Sequence, residues 1–331
     1  MARYLITGIT GFAGPHLANL LIQQGHEVHG LVRGSNGMET DILDVVFESN
    51  FSKITFHYGN LRDKHSIDRL LKEVMFDGVF HLAAQSHPPT SFIDPIGTYQ
   101  DNVMASINLI ESIIYYQPNC KLMFCSTSEV YGNTGSDGRL LKETDPILPS
   151  NPYGNSKAAV DLYLQERMTN GKINAFITRA FSHTGPRRGR NFSISCDAYN
   201  LVTLGGTLVK SGELPVLKVG NLETIRVVLD VRDIVNAYYL LMINENSTGG
   251  IFNVCGDVPR KMEYYTNKLI DIAKFNVRKE VDPKYYRPID IHYQHGDCEK
   301  LKKLTGWEPN IPIRQTLFDL YRYWELKIRG Y

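Results

Sequence analysis

The sequence predicts an α/β protein: a doubly wound parallel sheet in the first two-thirds of the chain, followed by a smaller mixed α/β region. Three observations lead there. Buried-strand patterns alternate with helical patterns, as parallel β-α-β units require. The first strand runs straight into a glycine-rich turn that opens a helix. After about residue 182 the alternation gives way to short strands and helices separated by proline and glycine.

In order, Arg3 to Thr7 reads as a buried strand, Phe12 to Gln24 as a helix and Glu27 to Val32 as the second strand. Ile54 to His57, Val79 to Leu82, Leu122 to Cys125 and Asn174 to Thr178 continue the sheet, with helices near Ser66 to Val74, Thr98 to Tyr116 and Asn151 to Met168. The later region offers strands at Val216 to Val219, Ile225 to Leu229 and Ile251 to Val254, and helices at Asp233 to Met242, Glu263 to Ala273 and Arg314 to Trp324. The expected division is 1–181 and 182–331, with some exchange of chain between the two, the second region capping the sheet's carboxyl edge. No internal repeat or low-complexity segment is visible.

At 331 residues and 37.6 kDa the chain can bury a sizeable core. A formal charge of +1 argues against a nucleic-acid partner or a polybasic membrane contact, both of which need concentrated positive charge. Arg187-Arg188-Gly189-Arg190 is the one dense basic patch. The five cysteines are odd in number, dispersed and without metal-ligand spacing, which suits small buried side chains in a reducing compartment, so cytoplasm is expected. No apolar run approaches the ~18 residues of a membrane span, and the amino terminus has no signal-peptide layout. The ten histidines show no zinc spacing, and no metal is expected.

Thr7-Gly8-Ile9-Thr10-Gly11-Phe12-Ala13-Gly14 is a glycine pattern between a strand and a helix. Gly8 permits the tight turn, Gly11 lets backbone approach a pyrophosphate, and Gly14 allows close packing of a helix whose amino end favours an anion, with Thr10, Phe12 and Ala13 completing the turn. This predicts a dinucleotide-binding (Rossmann) domain. The second strand ends in Arg33-Gly34-Ser35 instead of the acid that would hold a free ribose hydroxyl, so NADP is expected in preference to NAD. Asn60 and Leu61 follow the third strand as an adenine-side loop, and Leu82, Ala83 and Ala84 follow the fourth, beneath the nicotinamide ribose.

Chemistry is suggested by Ser126-Thr127-Ser128-Glu129 and by Tyr153 and Lys157 in Asn151-Pro152-Tyr153-Gly154-Asn155-Ser156-Lys157. Ser150 or Asn151 can cap a helix there, Pro152 suits its first turn, and four-residue spacing puts tyrosine and lysine on one face. A phenol with a reference pKa of about 10 is a poor base at neutral pH, and the ammonium is expected to favour its anion. Glu129, two residues from the Thr127 hydroxyl, adds a carboxylate that simple alcohol oxidation does not need. Three arginines, Arg187, Arg226 and Arg287, are candidates for a substrate diphosphate, since guanidinium forks suit phosphate oxygens. Asn221 and Asp290 are further nucleotide-contact candidates.

These motifs, in this order, resemble the extended short-chain dehydrogenase/reductase family of nucleotide-sugar enzymes, and in particular the GDP-mannose 4,6-dehydratases. The resemblance runs over essentially the whole chain, through Val28-His29-Gly30-Leu31-Val32-Arg33, Ala84-Gln85-Ser86-His87, Ser126 to Gly132, Pro186-Arg187-Arg188-Gly189, Val219-Gly220-Asn221-Leu222-Glu223, Arg287-Pro288, Gly296-Asp297-Cys298 and Gly306-Trp307. It implies a cofactor-holding first domain and a GDP-sugar-binding second one, with His183 and Arg188 on the cofactor and Ser86 and Ser182 on the substrate. It also implies a homodimer built on the helices Thr98 to Tyr116 and Asn151 to Met168, or a tetramer of such dimers. In the tetramer Arg190 reaches a neighbour's cofactor phosphate. Two departures stand out: Ser182 precedes His183 where the pattern has asparagine, and Val227 follows Arg226 where it has an acid.

The reaction the resemblance implies is an internal redox cycle. Tyr153, helped by Thr127, takes the C4 hydroxyl proton as hydride passes to the nicotinamide; the ketone acidifies C5. Glu129 removes that proton, water leaves from C6 with Ser128 or Glu129 assisting, and hydride returns to C6 as Glu129 reprotonates C5. Lys157 holds the nicotinamide ribose. GDP-linked mannose, manno-heptose and N-acetylglucosamine all stay open as substrates. A GDP-4-keto-6-deoxy-sugar reductase or epimerase of the same family is the rival enzyme, and an NADP-binding regulatory protein the non-enzymatic alternative.

Overall fold

The computed structural model describes residues 1–34, 38–46, 48–206, 213–286 and 289–330; Ser35, Arg287 and Pro288 lie outside the described residues. Seven strands form the main sheet: β1 (Arg3–Thr7), β2 (Glu27–Val32), β3 (Ile54–Tyr58), β4 (Gly78–His81), β5 (Lys121–Thr127), β6 (Ala175–Ala180) and β7 (Ile251–Val254). Their spatial order is β3-β2-β1-β4-β5-β6-β7, and every pairing is parallel. The order reverses between β1 and β4, which opens a crevice at the strands' carboxyl ends.

Side-chain alternation along the strands divides the core into two layers. Tyr4, Ile6, Val28, Phe80, Met123, Phe176 and Phe252 face helices α1 (Ala13–Gln23) and, much later in the chain, Val231–Ile243. Leu5, Val79, Leu122, Phe124, Ala175 and Ile177 face the opposite way, onto α2 (Lys64–Glu73), α3 (Ala105–Tyr116) and α4 (Pro152–Thr169). A sheet buried on both faces explains why these strands read as near-continuous apolar runs.

The expected helix from Thr98 to Tyr116 is three pieces: Pro95–Tyr99, a π-helical turn at Gln100–Met104, and α3. The extra residue in that turn rotates Asn102 into the interior, where it is 1% exposed. The expected strand from Ile225 to Leu229 also divides. Ile225–Arg226 joins Arg260–Lys261 and Tyr293–Gln294, whereas Leu229–Asp230 joins His183–Thr184. Val227 and Val228 between them are both buried as the chain crosses from one small sheet to the other.

Beyond residue 182 a separate core forms where Ser193–Leu204, Met262–Ala273 and Ile313–Arg329 pack together through Leu201, Leu269, Leu317 and Leu320. The strands Val216–Val219 and Arg278–Val281 pair beside it. Helix Val231–Ile243 and β7 nevertheless belong to the large sheet's layers.

Candidate active site

A cleft of about 900 Å³ runs along the carboxyl ends of β1, β4 and β5 and under the second core. At one end lies the glycine turn. Gly8 has φ +76°, and a Cβ there would sit 2.8 Å from the Ala83 backbone nitrogen, so the β1 and β4 exits touch only because the side chain is missing. A Cβ on Gly14 would lie 2.5 Å from the Gly8 carbonyl oxygen. The turn closes through Gly11 N–H donating to Gly8 O at 2.9 Å, and α1 begins with no side-chain cap. Its first N–H groups and dipole therefore face the cleft ready for an anion.

Thr10, Phe12, Ala13, Arg33, Asn60, Leu61, Leu82, Ala83 and Ala84 all line this end. Arg33 and Arg62 converge on one carboxylate, Asp101, at 3.7 and 2.8 Å. Phe12 stacks on the His183 ring at 5.7 Å, and the Arg188 guanidinium stands 4.7 Å from the Phe12 ring centre. His183 Nδ1 donates to the Phe181 carbonyl at 2.9 Å; burial, with Arg188 adding to it, pushes its pKa down to about 4, so the imidazole is neutral.

Arg187, a candidate for the substrate diphosphate, sits behind the glycine turn. It is not among the cleft-lining residues. Its guanidinium donates to the carbonyls of Gly11 and Thr10 at 2.8 and 2.9 Å and pairs with Asp44, which also accepts from Lys327 and Tyr323 at the end of the last helix. The residue braces the back of the glycine turn. Its backbone is held at φ 73°, a strained value for a side-chain-bearing residue.

At the centre, Asn151 caps α4 by accepting from Gly154 N–H at 2.7 Å, and its amide nitrogen donates to Glu129 Oε2 at 2.7 Å. Helix start and carboxylate are thus fixed by one side chain. The Thr127 hydroxyl accepts from Glu129 N–H at 3.2 Å and lies near enough to the Tyr153 phenol to pull its pKa down. Ser128 reaches the cleft, but its hydroxyl donates to Gln294 Oε1 at 3.0 Å.

Lys157 is buried on the same face as Tyr153, with its ammonium 4.4 Å from the Phe124 ring centre. Burial lowers its pKa. Burial also raises that of Tyr153; Cys125 and Glu129 raise it further, while Thr127 and Arg188 pull it down. The expected lowering by the Lys157 ammonium is therefore not what the protein alone provides: desolvation of the half-buried phenol is the largest influence, and Lys157 is not among the groups that move it.

Two supports were missed in the sequence. Asn102 bonds Gln85 N–H (2.7 Å), Gln85 O (3.0 Å) and Ser156 Oγ (2.9 Å), tying the loop after β4 to the helix of Tyr153. Behind β5, Asp161 pairs bidentately with Arg179 at 2.9 and 3.0 Å and accepts from Ser126 at 2.7 Å, all fully buried.

At the far end Ser86, Ser182, Asn221, Arg226 and Asp290 line the cleft. Asp290 accepts from Asn221 at 3.2 Å and pairs with Arg226 at 3.4 Å. Arg226 also donates to the carbonyls of Ile225, Ile291 and His292, so its plane is locked.

Comparison with known proteins agrees with this geometry. The family model for GDP-mannose 4,6 dehydratase matches residues 5–320. GDP-mannose 4,6 dehydratase of Homo sapiens is 30% identical over 96% of this chain and 89% of its own length. GDP-6-deoxy-D-mannose reductase of Pseudomonas aeruginosa is 29% identical over 99% and 98%. A solved structure of RMD from Pseudomonas aeruginosa complexed with NADPH superposes with TM-score 0.81 at 25% identity, covering 99% of this chain and all (100%) of that one.

Proposed function

The chain belongs to the GDP-mannose 4,6-dehydratase family, and from that premise we propose that it is an NADP-dependent GDP-sugar 4,6-dehydratase, converting a GDP-hexose such as GDP-mannose to the GDP-4-keto-6-deoxy derivative. The observation that carries the reading is Glu129: a carboxylate in the cleft, held by Asn151 beside the Thr127 and Tyr153 hydroxyls.

The dinucleotide fits the residues. Gly8, Gly11, Gly14 and the uncapped start of α1 take the pyrophosphate, and Arg33 takes the 2′-phosphate. When bound, the nicotinamide stores the hydride taken from C4 and gives it back at C6. Tyr153 accepts the C4 hydroxyl proton through its phenol oxygen, with Thr127 orienting it and Arg188 favouring the charged form. Lys157 holds the ribose. Glu129 takes the C5 proton and delivers it to the departing C6 hydroxyl, which leaves as water; reprotonated from solvent, to which Tyr153 gives up its own proton, it then returns a proton to C5. Residues 1–181 serve the cofactor and 182–331 the GDP-sugar, a division supported by the separate core around Leu201 and Leu269 and qualified by the return of β7 to the large sheet.

The protein works as a homodimer, or a tetramer of dimers, through α3 and α4; exposed Met104, Tyr115 and Leu162 on or beside those helices support this. A cytoplasmic setting is supported by five unpaired cysteines, and no described helix is long and apolar enough to cross a membrane.

A second reading, reduction of a GDP-4-keto-6-deoxy sugar, is favoured by the nearly end-to-end match with the Pseudomonas reductase. Incubating the protein with GDP-mannose, its NADP and no added reductant separates them. A 4-keto-6-deoxy product carrying the C4 isotope label on the new methyl group establishes the dehydratase. Product formed only from the keto sugar with stoichiometric NADPH overturns it.

A further inference from the structure

Asp197, on the helix Ser193–Leu204, lines the far end of the cleft although it is only 6% exposed. Its Oδ2 accepts from the Thr266 hydroxyl at 2.6 Å, and Thr266 is itself buried on the facing helix Met262–Ala273. Among the described residues no cation pairs with it. Burial pushes its pKa up to about 7, the signature of an acid taken out of water without a counter-charge. Yet neither oxygen is among the buried side-chain atoms sealed away without a partner. A helix face of Ile194, Ala198, Leu201 and Val202 would gain nothing from such a group in their midst. Its acceptor capacity is kept for something that enters the cleft.

Resting on the GDP-sugar reading above, we propose that Asp197 is the residue that selects the guanine base, its carboxylate accepting from N1–H and the 2-amino group. Those two parallel donors match a carboxylate as a guanidinium fork does. Uracil and thymine present one N–H flanked by two carbonyls, which the same carboxylate repels. Met262 and Cys196, which line the same end, offer apolar surface to a purine ring, and the Asn221–Asp290 pair stands beside them as the approach to the diphosphate.

The test is calorimetric binding of GDP, IDP, UDP and XDP to the cofactor-loaded protein and to Asp197→Asn. Wild type is expected to prefer GDP to UDP at least tenfold and to lose several-fold in affinity for IDP, which lacks the 2-amino donor. Asp197→Asn, whose amide can donate to the 2-carbonyl of xanthine, is expected to lose the GDP preference and gain affinity for XDP. Retention of the GDP-over-UDP ratio in Asp197→Asn overturns the assignment and leaves the GDP-sugar reading intact. Equal binding of GDP and IDP by wild type overturns it without any variant. Equal binding of GDP and UDP by wild type defeats the GDP-sugar reading itself, and this assignment with it.

Discussion

Replacing Asp161 by asparagine removes the acid that, among the described residues, alone pairs with the fully buried Arg179, while keeping the side chain's size. Two charge-assisted bonds, at 2.9 and 3.0 Å, lose their charge, and an amide N–H₂ has to stand against a guanidinium. Breaking a buried pair from one side typically costs about 3–5 kcal/mol, because the surviving charge is stranded. At about 2.1 cal/mol/K of unfolding entropy per residue, a chain of 331 residues melting as one unit carries roughly 0.7 kcal/mol/K, so Tm should fall by about 4–7 °C. Ser126, which leads into the run to which the proposed function assigns the chemistry, loses the charge of its anchor with it, so kcat should fall as well when measured below the transition. Asp161→Leu combined with Arg179→Met should recover part of the loss, but only part, since Arg179 also serves the Tyr131 hydroxyl and the Glu143 carbonyl. Thermal and urea melts of the four proteins of that cycle give the coupling directly. A single Asp161→Asn variant within about 1 kcal/mol of wild type would show that the pair is not the strut described here.

Glu129→Gln should keep oxidation at C4 but lose elimination by about 10²–10⁴-fold, the range for general acid–base groups; absence of solvent deuterium uptake at C5 is the readout, and undiminished elimination refutes the role. Gly14→Ala puts a methyl group 2.5 Å from one backbone oxygen and 2.6 Å from the Ile9 Cα, an overlap worth about 1–3 kcal/mol, so NADP affinity should drop about tenfold with the GDP-sugar KM little changed. Acidification from pH 6.5 to 5 should destabilise the fold. His81 and His183, pushed down to about 3 and about 4 by burial, refuse protons in the native state that the unfolded chain accepts below about 6.5, whereas Asp197, raised to about 7, holds one that the unfolded chain gives up. The net uptake on unfolding is about one proton, or about 1.4 kcal/mol per pH unit near pH 5, readable from denaturant midpoints; stability that is flat or rises on acidification contradicts it.

The parts of this protein that were legible in advance are those encoded by near neighbours in the chain. The glycine turn, the sheet strands and the Tyr153–Lys157 spacing need only a few consecutive residues to be recognised. No local pattern shows where Arg187 sits, because its partner, Asp44, is 143 positions away and is shared with Lys327 of the last helix. The phenol's raised pKa escaped for a similar reason: spacing reveals the ammonium, but not the desolvation that tertiary packing imposes on both groups. Asn102 was hidden by a π-helical turn that no periodicity of 3.6 anticipates.

Asn151 gives the catalytic centre a single hinge pin. The amide that closes the first turn of α4 also grips Glu129, so fraying of that turn slackens together the two groups to which the proposed function gives the opening and the committing proton transfers. Heat, denaturant or substitution at this position should therefore silence turnover as a whole, leaving no crippled form that makes the ketone and then releases it half-processed.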